Sequence, residues 1–312
     1  IARNAIQFCV NNQAADGSFI ETSYSKIPTV PEEAPQSRKV RFTCFVLVAI
    51  LQNQKFLNKY YTEEVKKAFT YVESKISYDN YAKSLCAYAL ALDGRFVTSE
   101  NFLNNLNLEG VTDGKTRYWD IVKDKGTSLD TQVLIASYAI LANIELAKQS
   151  EYAGKIDDVK PIVKWLMTKK NPNGGFSDSH STAIGIEALA AMAQATGASN
   201  TNMDVEFING KNPDGKKEKV HVDNSNALTT QFIEMPRKTE DVIIKATGTG
   251  YSSVTAYYEY TKNVEKLSDF FELEVTPKFE GSKVKVNACV TLRSDQVKDM
   301  VMMEFSLTSG YA

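Results

Sequence analysis

The residues best placed to do chemistry in this chain lie in one short stretch. Ser177-Asp178-Ser179-His180-Ser181 holds one of only two histidines, with a carboxylate and hydroxyls beside it. A Ser-His-Asp constellation needs its three groups at fixed mutual geometry on a scaffold, and neighbours along an extended loop point in different directions. Ser, Asp and Thr are also the residues that cap helix N-termini, and a helical pattern follows over Ala183–Ala193. The stretch is therefore read as the polar hinge that opens a buried helix. The second histidine, His221 in Lys-Val-His-Val-Asp, occupies the exposed face of a strand pattern. Three acidic pairs, Glu32-Glu33, Glu63-Glu64 and Asp157-Asp158, resemble metal or acid/base sites in composition alone. The last two open helical patterns, where acids suit the positive end of the helix dipole. Trp119 and Trp165 read as packing anchors, and no phosphate-cradling glycine loop occurs. No residue is assigned as catalytic, cofactor-binding or metal-binding, and the chain is not read as an enzyme.

The four cysteines, Cys9, Cys44, Cys86 and Cys289, form no Cys-x-x-Cys pair, and two histidines complete no zinc set at recognised spacing. Cys44 and Cys86 sit in apolar runs and are read as buried free thiols. Their number alone leaves the redox compartment open.

The elements that must carry these residues change character near residue 200. Before it, apolar residues recur with helical period; after it, they alternate with period two. Within the first part, Cys-Phe-Val-Leu (44–47), Ala-Tyr-Ala-Leu (87–90), Ser-Tyr-Ala-Ile (137–140) and Ile-Glu-Ala-Leu (186–189) recur. Their spacing of roughly 40–50 residues is that of helix-pair arrays. Ser128–Ala142 is apolar on nearly every side, as a fully buried helix must be. Glu63–Ser74 and Val159–Lys169 are amphipathic. Buried and amphipathic helices in alternation imply two concentric layers. Gln-Ala-Ala-Asp-Gly-Ser-Phe (13–19) and Lys-Asn-Pro-Asn-Gly-Gly-Phe (170–176) share a Gly-x-Phe ending after an outer helix. Gly17 and Gly174 are expected at positive φ, with Phe19 and Phe176 folding back onto the layer just left.

Beyond residue 200, Met203–Phe207 and Lys217–Val222 flank an Asn212-Pro213-Asp214-Gly215 turn. Asp241–Gly248, Ser252–Tyr260, Asp269–Pro277, Lys283–Leu292 and Asp299–Gly310 read as further antiparallel sandwich strands, with Lys262–Ser268 as a linker. In Ser252–Tyr260, Val254, Ala256, Tyr258 and Tyr260 would share one face.

Composition excludes some functions. A net charge of −2 gives no excess of basic residues to grip a nucleic-acid backbone. The longest apolar runs, Phe42–Leu51 and Leu85–Leu92, are far shorter than the ~20 residues that span a bilayer. No signal peptide is visible, and the chain reads as a piece of something longer, cut at both ends.

Val159–Ala193, containing Val163, Trp165, Leu166, Gly174, Gly175, Phe176 and Ser181-Thr182, resembles the last helix pair of the thioester domain in the complement and alpha-macroglobulin family. Asp16–Phe19 and Phe42–Leu47 resemble two earlier stations of that domain. Ala246–Tyr260 resembles a strand pair from the returning half of the family's CUB domain, and 269–311 the start of its C-terminal macroglobulin (receptor-binding) domain. The resemblance implies a mixed, multi-domain fold: an α/α toroid over 1–200 lacking its N-terminal part, a CUB half over 201–266, and the opening of a macroglobulin domain over 267–312.

It also implies a secreted, extracellular protein of innate immunity, of opsonin or protease-trapping type. Its partners would be other domains of the same larger protein and protein or cell-surface targets, including proteases and microbial surfaces. No nucleic acid, cofactor or transmembrane segment is expected. Active relatives carry a thioester in a Gly-Cys-Gly-Glu-Gln motif, which would lie upstream of Ile1. Many complement-like members place a catalytic histidine soon after the Asp-Gly-x-Phe station. The matching position here falls near Ile27, and the segment Ser18–Phe42 has no histidine. Histidine-catalysed transfer to hydroxyls is therefore not expected. An amine-preferring thioester and a thioester-less member both stay open. The bridge that vertebrate complement domains make at positions matching Ala2 and Leu57 is absent, which points to an invertebrate-type member. In several relatives the cysteine matching Cys289 pairs with one further into the last domain, beyond Ala312 here.

Two alternatives stand beside this reading. One is a non-immune, thioester-less relative acting as a structural ligand at cell surfaces or junctions. The other is an α/α-toroid enzyme such as a cyclase or glycosidase. Gln13–Phe19 is similar to the Gln-x3-Gly-x-Trp repeat of triterpene cyclases, but their Asp-x-Asp-Asp acid does not occur. A toroid enzyme requires paired acids at the ring's end, whereas the binding readings require a toroid plugged by Leu, Ala and Phe.

Overall fold

The computed structural model describes residues 2–21, 35–56, 61–74, 79–122, 127–171, 173–196, 201–215, 217–226, 229–237, 239–250, 252, 254–258, 260–261, 271–281, 283–293 and 303–304. The chain divides into two compact units, Ile1–Val254 and Thr255–Ala312.

The first unit opens with helices α1 (Ala2–Asn11), α2 (Pro35–Asn53), α3 (Thr62–Glu73), α4 (Asn80–Leu92), α5 (Phe96–Asn107), α6 (Leu129–Ala147), α7 (Lys155–Thr168) and α8 (Ser179–Ala195). A short hairpin, β1 (Val111–Thr112) and β2 (Arg117–Tyr118), lies between α5 and α6. The four repeats seen in the sequence fall in α2, α4, α6 and α8, and these pack in succession, α2 on α4, α4 on α6 and α6 on α8. Each intervening helix packs on a member of that row: α1 and α3 on α2, α5 on α4, α7 on α6. The burial pattern follows from composition. Every residue from Asn80 to Ala91 of α4 is buried, and in α6 every residue from Val133 to Ile144. In α3 only one stripe is covered, Val65, Ala68, Phe69, Tyr71 and Val72. The α8 helix buries Ser181, Gly185, Ala188 and Met192 but leaves Ile186 half exposed, so it is covered on one face only.

The expectation of free thiols at Cys44 and Cys86 is overturned. They form a disulfide between α2 and α4, with both residues fully buried and Cα atoms 5.1 Å apart. Burial in an apolar run suits a bonded pair as well as a lone thiol, and this separation is ordinary for a disulfide. Cys9 and Cys289 carry free thiols.

After the helices, β3 (Asn202–Asn209) lies between β4 (Glu218–Asp223) and β5 (Val242–Thr249) in an antiparallel sheet. The Asn212–Gly215 turn forms as read, Gly215 N donating to the Asn212 carbonyl. Met203, Val205 and Ile208 of β3 are buried, while β5 is exposed along its whole length. The expected strand over Ser252–Tyr260 is not found among its described residues. A strand exists only with a ladder partner, and among the described residues the sheet ends at β5. Tyr258 and Tyr260 instead stack on each other with ring centroids 5.9 Å apart.

In the second unit, β6 (Phe271–Glu280) and β7 (Lys283–Leu292) make an antiparallel hairpin, with Glu274 opposite Cys289. Among the described residues neither sheet carries a facing layer, so no sandwich is seen there. Glu32-Glu33, Ile27, Leu57, the Lys262–Ser268 linker and most of Asp299–Gly310 lie outside the described residues.

Candidate functional site

The N-terminal ends of the row helices gather its charged and capping groups. Asp178 caps α8: its Oδ1 accepts from Ser181 N at 2.7 Å, and Ser181 Oγ accepts in return from Asp178 N at 3.2 Å. His180 stands exposed on the first turn, its ring 6.2 Å from that of Phe45 on α2. The stretch that looked catalytic is thus a capping box, as its composition suggested. Asp79 caps α4 in the same way, Oδ1 accepting from Ala82 N at 2.7 Å. Its other oxygen lies 3.8 Å from Arg41 Nε on α2, and the guanidinium sits 5.5 Å over the Tyr81 ring. Arg41 and Asp79 are 1% and 2% exposed, so this is a buried ion pair. Burial raises the Tyr81 phenol strongly; Arg41 opposes the shift, and Asp79, Asp130 and Asp178 add to it.

A tyrosine column runs through the row. Tyr81 stacks on Tyr138 at 6.1 Å, and Tyr138 meets Tyr88 at 6.3 Å. At the other end Gln52 Nε2 donates to both Tyr88 Oη, at 3.0 Å, and Glu187 Oε1, at 2.9 Å, joining α2, α4 and α8. Burial pushes Tyr88 up to about 12 against the Gln52 hydrogen bond, with Glu187 and Glu145 adding to the rise. Here a cavity of about 760 Å³ opens, lined by Tyr88, Glu145, Lys148, Glu187 and a wall of Leu141, Ile144 and alanines. Carboxylates do stand at this end. Each is already engaged, Glu145 with Lys148 and Glu187 with Gln52.

The two Gly-x-Phe stations brace the layers. Gly17 and Gly174 adopt φ of +89° and +84° as expected. Gln13 Nε2 donates to the Gly17 carbonyl and to Glu64 O on α3, while Phe19 N donates to Thr43 Oγ1 on α2. Phe176 packs on Gly185 of α8. Both stations reach the next row helix, and the first also touches the outer helix α3, through Gln13 on Glu64 O and Gly17 beside the Lys67 backbone. Trp119 is fully buried and donates Nε1–H to Leu106 O at 2.8 Å; Trp165 stacks on Tyr118 at 5.1 Å. Both are anchors. His221 is exposed and pairs across the ladder, Nδ1 to Asp204 Oδ1 at 2.8 Å. Among the described residues no cluster of His, Cys, Asp and Glu could hold a metal ion, and no helix is long and apolar enough to cross a membrane.

The family signature of the A-macroglobulin TED domain matches residues 1–192, the helical row up to the last turn of α8. The chain belongs to the alpha-macroglobulin family. It is 25% identical to thioester-containing protein 1 allele S1 of Anopheles gambiae, over 100% of this chain and 22% of that protein. It is 28% identical to ovostatin of Gallus gallus, over 75% of this chain and 16% of that protein. The chain thus spans about a fifth of the length of these curated relatives.

Proposed function

We propose that this chain is a segment of a secreted complement-like or macroglobulin protein that acts by binding protein and surface targets. In this reading residues 1–200 are the greater part of an α/α-toroid thioester-type domain, 201–266 the returning half of a CUB domain, and 267–312 the start of a macroglobulin domain. The observation that carries it is the family match over 1–192, which coincides with the repeated row of buried helices. The Cys44–Cys86 bond supports secretion, since disulfides persist in oxidising compartments. The interior of the row, filled by Leu47, Leu85, Leu90, Ile140 and tyrosines, favours binding over toroid catalysis.

A relative named for its thioester supports a reactive motif upstream of Ile1 in the parent protein. Without a histidine between Ser18 and Phe42, such a thioester would prefer amines to hydroxyls. The test is radiolabelled methylamine on the intact parent protein, followed by thiol titration. Covalent uptake with release of one thiol is the expected result. No uptake would make the parent a thioester-less member working by non-covalent contacts.

A further inference from the structure

The disulfide and the buried ion pair join the same two helices at two heights. Arg41 precedes Cys44 by one turn on α2, so both project to one side of that helix. On α4, Asp79 is the cap, Tyr81 lies in the first turn, and Cys86 follows further along. Arg41 meets Asp79 and Tyr81 at the N-terminal end; Cys44 meets Cys86 in the middle. The sulfur-bearing residues are 0% exposed, and Arg41, Asp79 and Tyr81 are 1%, 2% and 5% exposed.

We propose that the Cys44–Cys86 bond is an oxidation-dependent brace that fixes α2 against α4 in the register burying Arg41 against Asp79 and Tyr81. Buried charges are tolerated only where their geometry is held, and two packed helices can slide by a turn to return charges to water. A covalent tie in mid-helix removes that slide. Opening the brace takes two electrons and two protons to the sulfurs, supplied by an external dithiol that becomes a cyclic disulfide. Exchange requires a thiolate to reach a sulfur, and both sulfurs are sealed in the core. The brace is thus set during folding and stays shut while the fold persists.

Three measurements on the full chain test this. Folded protein is incubated with dithiothreitol without denaturant, alkylated and weighed. At most two alkyl groups, on Cys9 and Cys289, are expected; four would overturn the sealed brace. Hydrogen exchange is then compared between the native chain and C44A/C86A. The variant should exchange at least tenfold faster at Val40–Thr43 and Asn80–Lys83, and unchanged exchange there would overturn the proposal. Because the alanines also leave space in the core, the bond is removed again in an R41M/D79N background, where asparagine keeps the cap. The loss in Tm should be smaller than in the native background. An equal loss would show a tether with no hold on the ion pair, and the proposal would fall.

Discussion

Phe176 lies against the bare backbone of Gly185, so closely that a Cβ built there would come 2.4 Å from its Cε2 atom. The two residues join the Gly-Gly-Phe station to the row helix that follows, and Phe176 is 4% exposed. Gly185→Ala sets two effects against each other. Alanine favours a helix over glycine by about 1 kcal/mol, whereas forcing a methyl into a packed contact costs about 1–3 kcal/mol. The clash should win, and thermal unfolding of Gly185→Ala should fall by several degrees. In a Phe176→Ala background the clash is gone, and the same substitution should turn neutral or stabilising. The same loss in both backgrounds would show that the contact does not restrain the helix.

The capping box at Asp178 and Ser181 yields a prediction that separates a hinge from a catalyst. Asp178→Ala leaves the Ser181 amide without its acceptor and should cost about 1 kcal/mol, while Asp178→Asn should cost far less. His180→Ala alters an exposed side chain and should stay within about 0.5 kcal/mol. Denaturant midpoints of the three variants decide the matter. In methylamine uptake by the parent protein, His180→Ala should behave as the native chain does, and a selective loss of uptake would restore a chemical role to His180.

Much of the helical row was legible because its repeat motifs lie in strongly apolar helices, fully covered in the middle of α4 and α6 but on one face only in α8. Ser128–Ala142 announced α6 in this way, and α6 spans Leu129–Ala147. The disulfide left a signal that was missed: Cys44 and Cys86 are 42 residues apart, close to one repeat length, and so stand within one position of equivalent places on adjacent row helices. The tyrosine column left none, since Tyr81, Tyr88 and Tyr138 come together only through packing of α4 on α6. Nor did Arg41, which closes the basic stretch Arg38–Arg41 just before the apolar run and whose partner, the cap of the next row helix, is far along the sequence. Ser252–Tyr260 failed for the opposite reason. Alternation describes which faces a strand would offer, but strand formation depends on a partner that the described residues do not contain.

Trp119 tests how far a single buried hydrogen bond holds the β1–β2 hairpin to α5. Trp119→Phe keeps most of the apolar volume but removes the donor to Leu106 O, leaving a buried carbonyl without that bond. Leu106 O keeps its bond from Glu109 N, so the expected loss is about 0.5–1.5 kcal/mol. Gly110 sits beside the indole, where a Cβ would lie 3.2 Å from Nε1, so the smaller ring also leaves a gap. Chemical denaturation should show a lower midpoint with an unchanged slope. A midpoint equal to the native one would mean that water replaces the indole there.

Acid stability should carry the signature of Asp16. Its carboxylate accepts from Lys39 Nζ at 2.8 Å and from Ser18 Oγ at 2.6 Å, and these bonds, Lys39 first, hold its pKa down to about 2. A carboxylate depressed in the folded state binds its proton more weakly there than in the unfolded chain, where the ordinary value is about 3.9. Its stabilisation is therefore complete above about pH 4 and is lost as pH falls towards about 2. The Asp16 and Lys39 side chains are 48% and 39% exposed, so screening keeps the effect small, in the range of surface pairs. Asp16→Asn should flatten the fall in Tm between pH 4 and 2 while leaving Tm at pH 7 only slightly lower. A native-like fall in the variant would assign that acid sensitivity to other carboxylates and leave the Asp-Gly-Ser-Phe station without its electrostatic latch.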